Sequence, residues 1–273
     1  MKVIDVNSDN QDTEFNKPIL KESDYKNLKG MVATPCFGGV IHNGTVSGFL
    51  GSLFKAAHNG ISLDFRFLNN ESLITRARNN LVCQFLVSQS THLIFVDADI
   101  EFIPESLLRL MISDREVVAG AYPVKSFPPR YAIDFSEDAK VDEQGFIKIN
   151  RAATGFLCIK RSALEKMKKA YPELQYSSDI DAQYGFDGLP AEQQPSEELK
   201  QGLKDNLFSF FDTSHDPNTN EYLSEDYTFS ERWKKIGGEI WLDTTCHLSH
   251  VGNVNYSVSP ENINELIQAN AKA

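Results

Sequence analysis

The chain has 273 residues, of which 41% are hydrophobic and 24% are charged, and this balance excludes a chain that is disordered throughout. The formal net charge of -11 repels polyanions at long range, which argues against binding to nucleic acid. The same acidity favours a divalent cation wherever carboxylates cluster.

The N-terminal region, residues 1–28, is polar and carries charges of both signs, which predicts an N-terminal arm. It has no apolar segment of the kind that a signal peptide needs, and no apolar run in the chain is long enough to span a bilayer. We therefore expect a cytoplasmic protein without a transmembrane segment. The cysteines stand singly in apolar segments, which predicts buried reduced thiols at Cys36, Cys83, Cys158 and Cys246.

From Gly30 onward, short apolar runs alternate with segments whose apolar residues have helical spacing. The predicted strands are 30–40, which ends in a glycine-containing loop, 61–67, 92–96, 116–121, 155–159 and 239–242. The predicted helices are 44–59, 72–88, 104–112, 162–170, 225–236 and 259–271, the last capped by Ser259 with Pro260 at its first position. An irregular hairpin is expected at 131–152, and 171–205 is polar and turn-rich without a dominant period. This order predicts an α/β fold with a doubly wound, mostly parallel sheet and helices on both faces.

The strongest chemical signal is a pair of aspartates directly after a buried strand. Ligands of such sheets bind beyond the carboxyl ends of the strands, and Asp97 and Asp99 follow the apolar run 92–96. Two close carboxylates repel each other and are costly to bury. A hard cation such as Mn²⁺ or Mg²⁺ would offset both costs and would bridge a diphosphate. Asp-x-Asp alone is also common in caps and loops, so the preceding strand is what favours a metal site.

Two later segments offer acid–base and metal-binding groups. Glu225 and Asp226 open a predicted helix. Acidic residues are common at helix N-termini because the helix dipole stabilises them there, so these two also fit an ordinary structural role. Their functional interpretation is a general base or a charge stabiliser that faces an acceptor hydroxyl. His250 follows the last predicted strand and is a candidate metal ligand, with His247 as its competitor.

Two further segments are candidates for ligand contacts. Arg76 and Arg78 lie on the predicted helix 72–88, and guanidinium groups suit phosphate oxygens. The alternative, a solvated helix edge, fits Arg76 better than Arg78. Thr154 and Gly155 precede a predicted strand, where the glycine either admits a ligand close to the backbone or simply begins the strand.

Taken in chain order, these segments resemble the GT-A glycosyltransferases over about residues 30–252. The similarity is closest to the small family-2-like enzymes of bacteria and viruses. There is also some resemblance to the fungal mannan polymerase-type mannosyltransferases, which carry an Arg-Asn helix before the aspartates. The segments that carry the resemblance are Thr34-Pro35-Cys36-Phe37, the helix with Arg76, Arg78 and Asn79, LIFVDADIEF, VVAGAYP, ATGFLCIKR, SEDYTFSERWKKIGGEIWLD and LSHVG.

The resemblance implies a GT-A fold in a single domain at 29–273, with acceptor-side loops at about 171–223, a stretch that aligns with nothing in the family. It also implies transfer of a sugar from a nucleotide-diphosphate-sugar donor to a hydroxyl of a glycan or another acceptor, with Mn²⁺ or Mg²⁺ as cofactor. The sugar, the base, the acceptor and the stereochemical course remain open.

The resemblance also implies roles for individual residues. Nucleotide-sugar contacts fall on Thr34, Pro35, Arg76, Arg78, Asp97, Ala98 and Asp99. Metal ligands fall on Asp97, Asp99 and His250, acceptor contacts on Thr154 and Gly155, and catalysis on Glu225 and Asp226.

His250 is preferred to His247 for two reasons. Val251-Gly252 follows it, as in the family's closing motif, and Cys246-His247-Leu248 is expected to be part of an apolar packing segment. Gly252, Asn253 and Asn255 predict irregular or extended backbone. In extended backbone, residues three apart point to opposite faces, so that only one histidine reaches the metal.

Two other functions compete with glycosyl transfer. Phosphatases of the haloacid dehalogenase type also place Asp-x-Asp after an apolar strand, with the first aspartate as nucleophile. Here Glu101 stands where those enzymes usually carry Thr or Val, and the motif lies a third of the way along the chain. The other alternative is a non-catalytic nucleotide-sugar-binding protein of the same fold, against which the aspartate pair and His250 argue.

Overall fold

The computed structural model describes residues 22–126, 130–131, 133–136, 139–252, 255–258 and 260–270. The helices are α1 (Asn43–His58), α2 (Ile74–Val87), α3 (Pro104–Ile112), α4 (Arg161–Ala170), α5 (Ile180–Tyr184), α6 (Glu197–Asp205), α7 (Glu225–Lys235) and α8 (Pro260–Asn270). The strands are β1 (Lys29–Cys36), β2 (Ser62–Asn69), β3 (His92–Val96), β4 (Ile100–Phe102), β5 (Val117–Gly120), β6 (Pro123–Val124), β7 (Arg130–Tyr131), β8 (Ile133–Phe135), β9 (Phe146–Ala152), β10 (Phe156–Lys160), β11 (Ser214–His215), β12 (Tyr222–Leu223), β13 (Ile240–Asp243), β14 (Leu248–Val251) and β15 (Asn255–Val258).

The central sheet has eight strands in the order β2-β1-β3-β10-β5-β13-β9-β8. The pairs β1–β2, β1–β3 and β5–β13 are parallel. Strands β10 and β9 run antiparallel to both of their neighbours, so the other six of the eight strands share one direction. The predicted α/β fold with a mostly parallel sheet is therefore confirmed.

Helices cover both faces of this sheet. On one face, the Phe95 ring lies 5.4 Å from the Phe211 ring and 5.3 Å from the guanidinium carbon of Arg78 on α2. On the other, Ile94 and Met111 of α3 fill the space beside Gly30, where a Cβ would lie 2.9 Å and 3.0 Å from their terminal carbons. Because neighbouring strand residues point to opposite faces, α2 and α3 lie on opposite sides, and all five residues of β3 are buried.

The stretch 171–205, predicted to be irregular, contains helices α5 and α6. Helix α6 begins at an N-cap where Ser196 accepts a hydrogen bond from the Leu199 N–H. Few of its residues are apolar, which is why no helical period stands out in the sequence. Its Leu203 is buried beside Cys83 of α2, and this packing stabilises a helix that is otherwise polar.

A second, three-stranded sheet of order β15-β14-β4 escaped prediction because its strands have only three or four residues. Helix α8 confirms the last predicted helix, although its proposed cap, Ser259, lies outside the described residues, as do residues 1–21 of the predicted arm. All four cysteines are buried and free, as predicted. Within the part of the chain that the structure describes, no helix has both the length and the apolar character required to cross a membrane.

Candidate active site

The Asp97–Asp99 turn lies at the carboxyl end of β3 and leads into β4. The Asp97 N–H donates a 2.9 Å hydrogen bond to the Gly155 carbonyl, which ties the turn to the start of β10. The Val251 N–H donates a 2.8 Å bond to the Asp99 carbonyl, and His250 is paired with Ile100 in the β14–β4 ladder. The small second sheet thus brings His250 to the aspartates.

The turn forms one wall of a cleft of about 480 Å³. The lining residues within the described chain are Pro35, Phe37, Val40, His42, Glu71, Ser72, Ile74, Asp97, Ala98, Asp99, Val251 and Gly252. This lining set includes three carboxylates and no lysine or arginine. The volume falls in the range of small-molecule sites, roughly 300–1,000 Å³. Each of the three lining carboxylates pairs with a cation that is not itself part of the lining, Glu71 with Arg76, Asp97 with Arg78 and Asp99 with Lys125.

Asp99 lies between His250 and Lys125. Its Oδ1 is 3.5 Å from His250 Nε2, and the Lys125 ammonium contacts its Oδ2. Burial opposes the ionisation of Asp99, but the hydrogen bonds and positive charge of His250 and Lys125 outweigh it and lower the pKa of Asp99 to about 2. Asp99 is therefore ionised at neutral pH.

The orientation of the His250 ring is fixed by a hydrogen bond from Nδ1 to the Pro123 carbonyl at 3.0 Å. Because a carbonyl only accepts, Nδ1 carries a proton. When Nε2 is also protonated, the ring is an imidazolium that faces Asp99 as a cation; when Nε2 has lost its proton, its lone pair and Asp99 Oδ1, 3.5 Å apart, are two electron-pair donors for a metal ion.

Arg78 occupies the space behind Asp97. Only 3% of it is exposed, and it donates hydrogen bonds of 3.2 and 3.3 Å to the two Asp97 oxygens and one of 3.3 Å to Glu225 Oε1. Burial opposes its charge, but Asp97 and Glu225 outweigh that cost and raise the pKa of Arg78. The two aspartates thus differ, since Asp97 is neutralised by a buried arginine and Asp99 by an exposed lysine.

In the described residues, no group of three or more His, Cys, Asp or Glu side chains has the arrangement of a complete metal site. Asp99 and His250 fit as a partial site, because one carboxylate oxygen and one imidazole nitrogen lie 3.5 Å apart and Asp99 itself lines the cleft. Asp97 is turned towards Arg78. Asp97, the third predicted metal ligand, therefore lies beside Asp99 and His250 but is hydrogen-bonded to the guanidinium of Arg78.

The predicted nucleotide-binding residues are divided between the cleft and the interior. Pro35 and Ala98 line the cleft. Thr34 is fully buried in β1 and is not part of the lining. Arg76 lies at the surface, where it pairs with Glu71 at 2.5 Å and half of its side chain is exposed.

The predicted acceptor-binding residues, Thr154 and Gly155, are both buried, Thr154 to 1% exposure. The Gly155 N–H donates a 2.9 Å bond to the Tyr122 hydroxyl. A Cβ on Gly155 would lie 2.4 Å from that hydroxyl oxygen and 3.0 Å from Asp97 Oδ2. The structure thus explains this glycine by the close approach of Tyr122 and Asp97. Burial, opposed in part by Arg78, raises the pKa of Tyr122 and keeps it a neutral phenol.

The predicted catalytic acids have different environments. Glu225 pairs with Arg78 at the start of α7. Asp226 Oδ1 accepts hydrogen bonds from the Tyr227 N–H at 2.9 Å and from the Ser224 hydroxyl. One acid is thus tied to the aspartate turn and the other to its own helix start.

His247 has an exposed side chain between the buried residues Cys246 and Leu248. The expectation that His247 is part of an apolar packing segment is therefore wrong for its side chain. Cys246 and Leu248 do pack, but His247 directly precedes β14 and lies between them with its side chain exposed. The structure places His250, and not His247, against Asp99.

Several residues of this site were not predicted from the sequence. Lys125 follows β6 in a polar turn and has the same sequence signal as any surface lysine. Tyr122 lies within the VVAGAYP segment, but nothing in the pattern indicates its contact with Gly155. Phe37 lines the cleft with 77% of its surface exposed, and its neighbours Gly38 and Gly39 both have positive φ, a sign of a loop that the sequence does suggest.

No protein-family model and no curated protein matches this sequence. Among solved structures, the chain is similar to A197 from STIV, with 16% identity, 86% of this chain and 92% of that chain covered, and a TM-score of 0.47. GalNAc-T7, solved with UDP, GalNAc and Mn²⁺, is 13% identical, with 88% of this chain and 48% of that chain covered and a TM-score of 0.40. A glycosyltransferase involved in the glycosylation of the major capsid of PBCV-1 is 10% identical, with 77% of this chain and 99% of that chain covered and a TM-score of 0.31. At these values the similarity concerns the course of the chain, and no residue role follows from it.

Proposed function

We propose that the protein is a metal-dependent glycosyltransferase of the GT-A type, which transfers a sugar from a nucleotide-diphosphate-sugar donor to a hydroxyl of its acceptor. The observation that carries the proposal is the pairing of Asp99 with His250, 3.5 Å apart. Asp99 lines a cleft of about 480 Å³ and follows the carboxyl end of β3, where ligands of α/β sheets bind, and His250 of β14 directly precedes the lining residue Val251.

The charge of the cleft supports a metal ion. The described lining presents three carboxylates, Glu71, Asp97 and Asp99, and no lysine or arginine, because the cations that pair with them lie outside the lining. A diphosphate therefore meets no cationic side chain in the lining, and a divalent ion on Asp99 and His250 would supply that charge; its imidazole ligand favours Mn²⁺ over Mg²⁺. When bound, the ion would offset the negative charge that develops on the leaving diphosphate.

The protein's own residues divide the remaining work. Arg78 fixes Asp97 and Glu225 relative to each other, so that the aspartate turn and the start of α7 form one rigid wall. Asp226, next along α7, is the residue we assign as general base for the acceptor hydroxyl. Replacing Asp226 with asparagine should abolish transfer and leave donor binding intact, as measured by titration with the nucleoside diphosphate.

The phosphatase alternative is less well supported. A haloacid dehalogenase mechanism requires the first aspartate as nucleophile. Both oxygens of Asp97 accept hydrogen bonds from Arg78, which lowers their nucleophilicity and fixes them away from a phosphorus atom in the cleft. A non-catalytic binding protein differs from the proposed enzyme in one measurable respect, the slow metal-dependent hydrolysis of the donor.

The proposal is tested by thermal unfolding with Mn²⁺, with a panel of nucleoside diphosphates, and with both together. We expect full stabilisation only when both are present, because the described lining offers a diphosphate no lysine or arginine and the metal ion would supply the missing positive charge. At about a hundred times the dissociation constant, a ligand adds roughly 2.7 kcal/mol. Equal stabilisation by a diphosphate in EDTA would contradict the metal bridge.

His247 provides a matched control for the metal ligand. His250→Ala should remove the stabilisation by Mn²⁺ and diphosphate together, because His250 Nε2 lies 3.5 Å from Asp99 Oδ1. His247→Ala should retain it, because that side chain is exposed before the start of β14. The reverse result would move the ligand to His247. If neither variant changes the response, Asp99 holds the metal without a histidine.

A further inference from the structure

Strand β2 forms one edge of the central sheet and pairs on one side only, with β1. It is eight residues long, and every residue in it is half-buried or exposed. No other described strand pairs with its outer edge. A long edge with aromatic residues pairs readily with another chain unless charges or bulges oppose it.

Helix α1 carries an apolar flank above the same edge. One flank of α1 meets α3, through the Lys55–Glu105 ion pair and the contact of Gly51 with Pro104. Because a helix advances about 100° per residue, the opposite flank is formed by the exposed residues Val46 (39%), Leu50 (64%) and Leu53 (43%), and Phe54 (72%) lies on the outward side between the two flanks. Helix α1 contains no acidic residue, although the chain carries a net charge of -11.

The sequence of β2 is complementary to itself in the antiparallel direction. About a two-fold axis at Phe65, Asp64 lies opposite Arg66 of the other copy, and Leu63 lies opposite Phe67. Phe65 and Phe67 lie on the α1 face, with ring centroids 5.3 Å and 5.9 Å from that of Phe49, so the charged residues occupy the other face. Within one chain, Arg66 and Asp64 already pair at 2.8 Å, and a second copy would extend this pair into a four-charge network.

We propose that the protein forms a two-fold symmetric homodimer in which β2 pairs antiparallel with β2 of a second copy, centred on Phe65. Such an axis is perpendicular to the sheet, so both α1 helices lie on the same face and their apolar flanks meet across it. A second copy fits this edge better than an unrelated chain does, because it supplies Arg66 to Asp64 and Asp64 to Arg66 at once. Because helix α1 contains no acidic residue, bringing the two α1 flanks together adds no repulsion between carboxylates of the two copies.

The dimer does not depend on the proposed transferase function. The cleft lies beyond the carboxyl end of β3, whereas the axis crosses the middle of β2, so the cleft remains open to solvent. The experiment is sedimentation velocity over a range of protein concentrations, which separates a monomer of 30.7 kDa from a species of twice that mass.

The register is tested by exchanging charges. Arg66→Asp and Asp64→Arg should each yield monomers, because like charges then face each other across the axis. The double variant Asp64→Arg/Arg66→Asp should restore the dimer, since the pairs are complementary again. Lys148→Glu makes the same change in charge as Arg66→Asp on an exposed residue of β9 and should leave the dimer intact. Circular dichroism confirms that each variant is folded.

Three results would overturn the proposal. A wild-type chain that is monomeric at every concentration has no such interface. A dimer that survives both single reversals, or that the double exchange fails to restore, uses another surface or register. A dimer that forms only after deletion of residues 1–21 would mean that this segment blocks the β2 edge in the full chain.

Discussion

Replacement of Arg78 by leucine tests whether this arginine organises the site from the interior. The substitution removes three hydrogen bonds of 3.2–3.3 Å to carboxylates and leaves Asp97 and Glu225 without their shared cation. Removing one partner of a buried ion pair costs about 3–5 kcal/mol. The side chain of Asp97 is 28% exposed, so water compensates part of this loss, and we expect a cost of about 3 kcal/mol. For a chain of this size that corresponds to a fall in melting temperature of roughly 6–12 °C.

Arg76 is the matched control, because it lies two residues earlier on the same helix and also pairs with a glutamate. Half of its side chain is exposed, and exposed ion pairs contribute about 0–1 kcal/mol. Urea unfolding of Arg76→Leu and Arg78→Leu, analysed by linear extrapolation, gives both free energies in the same solvent. Arg78→Lys should be intermediate, since an ammonium keeps the charge but cannot donate to both Asp97 oxygens in parallel.

Equal free-energy losses in Arg76→Leu and Arg78→Leu would refute this reasoning. Such a result would mean that the carboxylates are satisfied by water and that the guanidinium adds nothing to the wall of the cleft. Retention of the full stabilisation by Mn²⁺ and diphosphate in Arg78→Leu would separately refute a positioning role towards the ligand.

Three further changes have measurable outcomes. His92 is buried, and burial lowers its pKa from 6.5 to about 4. Below about pH 6.5 the unfolded chain therefore binds more protons than the native protein, and the free energy of unfolding falls by up to roughly 2 kcal/mol as the pH drops to about 5. Urea unfolding of His92→Leu should show no such fall. If the free energy of unfolding of the variant depends on pH as that of the wild type does, His92 is excluded as the source. Lys125→Gln should bind Mn²⁺ several-fold more tightly without nucleotide, because a competing cation is gone, and calorimetry showing equal or weaker affinity would contradict this. Gly155→Ala should cost about 1–3 kcal/mol, because its Cβ would meet the Tyr122 hydroxyl at 2.4 Å. Gly202→Ala, whose nearest new contact is 3.6 Å, should cost nothing, and equal losses would count against the steric argument.

The main elements were predictable because their signals are local. Strand β3 and helix α3 have the predicted bounds, 92–96 and 104–112. A five-residue apolar run suits a strand buried on both faces. Pro104 fixes the backbone at the first position of α3. By contrast, β4 and β14 are short strands that hold together only through pairing, and no local pattern reports a partner about 150 residues away.

The members of the site were predictable from strand ends, but their partners were not. Asp97, Asp99 and His250 were found because each follows a predicted strand. Arg76 and Arg78 look equivalent in sequence, yet two steps of a helix rotate a side chain by roughly 200°. One arginine therefore faces solvent and the other enters the interior. Which one is buried depends on where α2 meets β3 and α7, and only the tertiary packing determines that.

The pairing of Asp97 and Asp99 with different cations separates two roles that the motif alone does not distinguish. The cation on Asp97 is a 3%-exposed guanidinium with two carboxylate partners, and withdrawing it would leave two partly buried carboxylates, Asp97 and Glu225, without their shared cation. The cation on Asp99 is a lysine with 38% of its side chain exposed, which can return to water at little cost. A metal ion bound as proposed would therefore displace Lys125 far more readily than Arg78. This asymmetry makes Asp99 the exchangeable position and Asp97 the fixed one, so that metal and Lys125 should exclude each other at the same carboxylate.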